Sequence, residues 1–160
     1  MKKELTLNFD YFTAAAELSD IEKTLFEKAK TAREKAYAPY SDFFVGCAVL
    51  LENGEIICGN NQENAAFPSG LCAERTAVFY IGANFPEQKI KKIFIVGGPR
   101  IFSEKTPAIP PCGACRQSLM EYETKQHENI EVYFSNLKEE IYKVNAVKDL
   151  LPFYFDSTFL

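Results

Sequence analysis

FFVGCAVLLENGEIICG, residues 43–59, narrows the folds open to this chain more than any other stretch. Two runs of branched and aromatic residues flank Asn53-Gly54, a dipeptide suited to the positive backbone angles of a tight hairpin turn. An antiparallel pair is therefore expected early in the chain. Beyond residue 59 the sequence alternates between helical and extended patterns. Cys72 to about Ala83 reads as a helix, KKIFIVGG as a buried strand, Cys112 to about Thr124 as a second helix and IEVYFS as a further strand. NAVKDLLP reads as a short closing helix. Strands separated by helices imply parallel pairing, whereas the hairpin is antiparallel. Together they predict an α/β fold with a mixed sheet and helices on both faces.

Ahead of the hairpin, Ser19 is placed to cap a helix from about Asp20 to Tyr37, with Ile21, Leu25, Ala29 and Ala32 on one face and Pro39 as its stop. ELTLNF alternates and suggests a short strand. NQENAAFPSG and RIFSEKTPAIPP are read as loops, the prolines of the latter leading into a helix start. No repeat or linker divides the 160 residues, so one domain over 1–160 is expected, with 1–18 as a possible N-terminal extension.

Composition sets outer limits. The chain is 47% apolar and 25% charged, a globular balance, and its net charge of −4 offers no basic stripe for a nucleic acid. That points to a small partner that is not strongly anionic. No apolar run is long enough for a membrane span, and MKKELTLNFDYF lacks the apolar stretch and cleavage site of a signal peptide. A cytoplasmic location is expected, where the five cysteines stay reduced.

Those cysteines carry the chemistry. Cys47 and Cys58 lie in predicted strands and read as packing residues. Cys112 and Cys115, in PCGAC, lie three apart at a predicted helix start, where free amides and the positive end of the dipole favour thiolates. By themselves they fit a metal half-site, a redox pair or a tight turn with buried thiols. Cys72 opens another predicted helix. If both helix starts point to one place, three thiolates meet and a fourth position stays open, as in catalytic zinc; a fourth ligand from Cys47, Cys58 or His127 would make the site structural. Glu74, two residues beyond Cys72, is near enough to serve as a proton carrier there, although a first-turn glutamate can also merely complement the helix dipole. Arg75 is either a solvated helix charge or a donor to a thiolate, offsetting the net −1 of three thiolates on a divalent ion.

The pairing of C-A-E with P-C-x-x-C resembles the signature of zinc nucleobase deaminases. YAPYSDFFVGCAVL, GNNQENAAFPSGLCAERTA, PPCGACRQ and LLPFYF resemble, in order, the pattern of the small homotetrameric cytidine deaminases, over about Tyr37 to Phe155. The resemblance implies a three-layer α/β/α fold around a mixed five-stranded sheet. It implies one Zn2+ per chain on Cys72, Cys112 and Cys115, with Glu74 moving protons between water, the pyrimidine ring nitrogen and the leaving ammonia. It further implies that Asn61 and Glu63 bind the ribose hydroxyls on the 3′ side, that Phe43 stacks near the base and that the Ala73 backbone reads its polar edge. Phe155 would reach a neighbouring subunit's site. Phe67 stands where many members have a tyrosine. The activity implied is hydrolytic deamination of cytidine and deoxycytidine, in a homotetramer with shared sites.

Three other functions compete. A polynucleotide deaminase normally has histidine where this chain has Cys72. Blasticidin deaminase shares C-A-E and PCGxCR but lacks the counterpart of Glu63. A non-catalytic zinc module would close the fourth coordination position.

Overall fold

The computed structural model describes residues 1–101, 103 and 106–160. Among the described residues, six strands form one sheet: β1 (Asp10–Phe12), β2 (Phe43–Leu51), β3 (Ile56–Asn60), β4 (Ile90–Pro99), β5 (Glu131–Ser135) and β6 (Ile141–Val144), in the order β1-β6-β5-β4-β2-β3. Three α-helices pack on it: α1 (Asp20–Arg33), α2 (Ala73–Asn84) and α3 (Gly113–Gln126). Among these strands, as described, β4 and β5, joined through α3, pair in parallel and the other neighbours are antiparallel. The sheet is thus mixed, as expected. Helix α2 does not make its flanking strands neighbours, because β3 and β4 lie on opposite sides of β2.

The two-residue period of the strands divides the core. Cys47, Val49, Leu51, Ile93, Ile95 and Val132 face one way and pack with Ala77, Val78 and Ile81 of α2 and with Leu119 and Met120 of α3. Ala48, Phe94, Val96 and Tyr133 face the other way, against Leu25, Phe26 and Ala29 of α1. Helices therefore cover both faces, giving the three layers. Two glycines set the closeness of the layers. A Cβ on Gly46 would lie 2.0 Å from the Ala29 carbonyl, and one on Gly59 would lie 2.4 Å from that of Ala73, so α1 and α2 rest directly on strand backbone.

The buried Arg33 marks the end of α1. Its guanidinium donates to the carbonyls of Phe44 (3.1 Å), Gly98 (2.8 Å) and Pro99 (2.6 Å). At the opposite end, the Ser19 amide donates to Glu22 Oε2 (2.9 Å), while Glu22 Oε1 accepts from Lys92 (2.8 Å) and Tyr133 (2.6 Å). Burial opposes ionisation of Glu22, but the bonds from Lys92, Tyr133 and Ser19 outweigh it and hold the carboxyl at about 2.

Several sequence expectations are corrected. The sheet has six strands, not five. ELTLNF forms no strand; the strand starts at Asp10, opposite Lys143, and β6 ends one residue farther on at Val144, so residues 4–8 have no partner in β6. Strand β6 itself carries no clear signal in the sequence. Helix α1 stops at Arg33, short of Tyr37, and its buried stripe runs through Leu25, Phe26, Ala29 and Ala32, leaving Ile21 exposed. The hairpin turn spans four residues, with Leu51 N–H bonded to Glu55 O (2.9 Å) and Gly54 at φ 88°. The closing helix is a 3-10 turn, Val147–Leu150. In the RIFSEKTPAIPP loop, Phe102, Glu104 and Lys105 lie outside the described residues.

Candidate active site

Cys72 and Cys112 are the N-cap residues of α2 and α3. The first intrahelical bonds run from Thr76 N to Cys72 O (3.0 Å) and from Arg116 N to Cys112 O (2.9 Å). The amides before Thr76 and Arg116 thus have no intrahelical acceptor at each helix start, beside the cysteines, where they favour negative charge. The two helix starts meet. The sulfurs of Cys72, Cys112 and Cys115 all lie within 4.8 Å of one another, and Cys72 and Cys112 are 3.8 Å apart. Among the described residues, Cys47, Cys58 and His127 lie outside this group: Cys47 is buried in the core, Cys58 is exposed on β3 and His127 ends α3 in a left-handed conformation.

The donor set fits zinc. Tetrahedral bonds of about 2.3 Å to sulfur put ligating sulfurs about 3.8 Å apart, the separation found between Cys72 and Cys112. The electrostatics agree. The hydrogen bond with Cys115 and then the Arg75 guanidinium outweigh burial and bring the Cys72 thiol down to about 5. The same bond, together with burial, pushes the Cys115 thiol up. The pair is thus disposed to carry its negative charge on Cys72. Arg75 Nη2 lies 3.8 Å from Cys72 Sγ, while Arg75 Nε is buried with no partner among the described residues, a donor left over beside an anionic centre.

Glu74 is only 3% exposed. Burial, partly offset by its own backbone amide and reinforced by the Cys72 charge, raises its carboxyl to about 7. A carboxyl poised there can both accept and return a proton near neutral pH. Ala73, beside it, is fully buried in the first turn of α2.

A cleft of about 460 Å³ opens beside Cys72 and Arg75 and is lined by Tyr40, Ser41, Asn61, Glu63, Phe67 and Leu71, among others. Three segments are laced together to form it. Tyr37 N donates to Asn61 O (3.0 Å) and Glu63 N to Tyr37 O (2.8 Å), while Gln62 and Leu71 exchange both backbone bonds (2.9 and 3.0 Å). Leu71 immediately precedes Cys72, so this lacing fixes the N-x-E loop next to the cysteines. Asn61 is itself fastened to β2, accepting from Val45 N (2.8 Å) and donating to Phe43 O (2.9 Å). Glu63 accepts from Tyr40 N (2.8 Å) and Ser41.

Of the aromatic candidates, Phe43 is half-buried at the start of β2. Phe67 lines the cleft, 74% exposed, with its ring edge-on to Tyr40 at 5.7 Å. Phe155 is not in its own chain's cleft. It is 57% exposed, stacks on Phe159 at 5.5 Å, and its carbonyl accepts from Gln117 (2.8 Å). Sequence reasoning passes over Tyr40, Ser41 and Leu71 as site residues. The signal for the first two is their place in YAPYSDFFVGCAVL, and for Leu71 its place in GNNQENAAFPSGLCAERTA, two of the stretches that carry the family resemblance.

Comparison with known proteins places this geometry in context. The family model for the cytidine and deoxycytidylate deaminase zinc-binding region matches residues 19–128. A cytidine deaminase of Sporosarcina psychrophila is 40% identical over 138 residues, covering 86% of this chain and 93% of the relative. One from Halalkalibacterium halodurans is 39% identical over 133 residues, covering 83% and 92% respectively. Among solved structures, a cytidine deaminase from Burkholderia pseudomallei superposes with a TM-score of 0.71 at 38% identity, covering 83% of this chain and 98% of that one.

Proposed function

This chain belongs to the cytidine and deoxycytidylate deaminase family, and from that premise we propose that it hydrolyses cytidine to uridine and ammonia, and deoxycytidine to deoxyuridine at the same site. The observation that carries the reading is the meeting of three cysteine sulfurs at two helix starts, with the buried Glu74 beside them and a cleft leading in. Cys72, Cys112 and Cys115 would hold one zinc ion. When bound, zinc supplies the Lewis acidity that makes water nucleophilic near neutral pH.

The chain's own groups do the rest. Glu74 takes a proton from the attacking water as its oxygen bonds to carbon 4, and delivers that proton to the adjacent ring nitrogen. It then carries the proton of the new carbon-4 hydroxyl to the exocyclic amine, so that the carbon–nitrogen bond breaks, ammonia leaves and the hydroxyl oxygen becomes the carbonyl of the product. Arg75 offsets the negative charge of the three thiolates. Glu63 and Asn61 bind the sugar, Glu63 accepting a hydroxyl through its carboxylate and Asn61 through whatever its two strand bonds leave free. Phe43 stacks near the base, and the Ala73 backbone reads its polar edge.

A side-by-side assay of cytidine, deoxycytidine and blasticidin S tests the substrate class. Ammonia release from both simple nucleosides is expected to exceed that from blasticidin S by at least about tenfold, the worth of one well-placed sugar hydrogen bond. Preferential turnover of blasticidin S would reassign the substrate.

The active form is proposed to be a homotetramer in the cytoplasm. Phe155 does not line its own chain's cleft, and the tail leaves Phe153, Phe159 and Leu160 largely exposed, which is costly on a lone subunit. Light scattering on active protein should give four times the chain mass; an active monomer would refute the assembly.

A further inference from the structure

Ser41 is tied to Glu63 more closely than a turn requires. Its hydroxyl donates to Glu63 Oε1 in a short bond, and its amide donates to Oε2 at 3.3 Å alongside the Tyr40 amide at 2.8 Å. The same hydroxyl accepts from Phe43 N at 3.1 Å. A serine hydroxyl has one proton to give, and here the Phe43 N–H fixes the oxygen so that the proton is committed to Glu63. A role in forming the turn would need only the Phe43 bond. The turn is itself anchored: Asp42 is left-handed at φ 52°, its amide bonds to Ala38 O (3.1 Å) and its carboxylate accepts from Arg100 Nε (2.9 Å).

A carboxylate has about four acceptor directions. On Glu63, two backbone amides occupy Oε2 and the Ser41 hydroxyl occupies one direction of Oε1. Among the described residues, what remains is one acceptor direction, on the oxygen that Ser41 holds, and both residues line the cleft. The ion is also kept charged: the Ser41 hydrogen bond, followed by the Tyr40 amide, holds the Glu63 carboxyl below the usual carboxylate range.

We propose that Ser41 is a positioning residue for substrate, aiming the last free acceptor of Glu63 at a hydroxyl on the 3′ side of the sugar. The proposal rests on the reading of Glu63 as a sugar-binding residue. Ser41 touches neither the base nor the reacting atoms; its action passes through Glu63. Because Ser41 is exposed, removing its hydroxyl leaves no buried group unpaired, so the fold is not at risk.

The test compares cytidine with 3′-deoxycytidine, which lacks the hydroxyl in question. Ser41→Ala should raise KM for cytidine about three- to tenfold, as expected for one solvent-accessible hydrogen bond, with kcat within about twofold. For 3′-deoxycytidine its KM should equal that of the parent. Ser41→Thr, which keeps the hydroxyl, should restore most of the cytidine KM. A Ser41→Ala penalty that is the same for both substrates, or that falls on kcat, overturns the inference. Glu63→Ala, run in parallel, separates the two levels. If Glu63→Ala discriminates between the substrates while Ser41→Ala does not, the positioning role fails and the sugar reading stands. If Glu63→Ala does not discriminate, the sugar reading fails and the role of Ser41 goes with it.

Discussion

Glu74→Gln is expected to keep the fold and the zinc content while lowering cytidine turnover by about 10³-fold or more, the scale of a lost general acid–base group. Glutamine fills the same volume and still hydrogen-bonds, but it cannot carry a proton. The fold should not suffer. Glu74 is 3% exposed, and burial raises its carboxyl to about 7, so in its ionised form it is a cost to the folded state. A neutral side chain removes that cost, and the melting temperature should stay level or rise. Activity, zinc content and melting temperature measured together on one preparation check this. Near-normal turnover in the variant would remove Glu74 from the proton path and reassign the proton carrier to another group.

Cys112→Ala should have the second largest effect, on the metal. One of three sulfurs is lost, and the remaining pair belongs to two different helices. Zinc retained after dialysis should fall from one per chain to almost none, and turnover should fall with it. Stability should drop as well, because a ligand that binds only the folded chain at 100 times its dissociation constant contributes about 2.7 kcal/mol. Cys112 is exposed, so alanine there opens no cavity in the core, and the loss in melting temperature reports on the metal. Cys58→Ala is the matched control, being an exposed cysteine outside the sulfur group. If Cys112→Ala retained one zinc per chain, the ligand set would have to be redrawn.

Both predictions concern positions that are legible in the sequence. Cys72 and Cys112 can be read as helix starts because proline and glycine punctuation stands before each, and both prove to be N-caps. Their convergence is only a conjecture from charge and ligand count, and in space it depends on Gly59, which lets α2 rest on β3. The mixed sheet follows from the hairpin and the helix–strand alternation. The features that sequence reasoning misses are those whose cause lies in a partner. IYKV is too short and too polar to declare itself a strand until β5 and β1 flank it. ELTLNF has the right alternation but no strand beside it. Helix α1 ends early because Arg33 is drawn to three carbonyls contributed by β2 and β4, 11 to 66 residues away in sequence. Ser41 escapes notice for the same reason: in a P-Y-S turn a serine is ordinary until Glu63, 22 residues on, is folded against it.

The central claim is that the three-cysteine site, with Glu74 beside it, makes this chain a zinc-dependent cytidine deaminase. Ammonia release from cytidine, with zinc measured on the same purified sample, tests that claim most directly. The account predicts about one zinc per chain and ammonia formed in step with uridine. A folded, zinc-loaded protein that releases no ammonia from cytidine or deoxycytidine would contradict it.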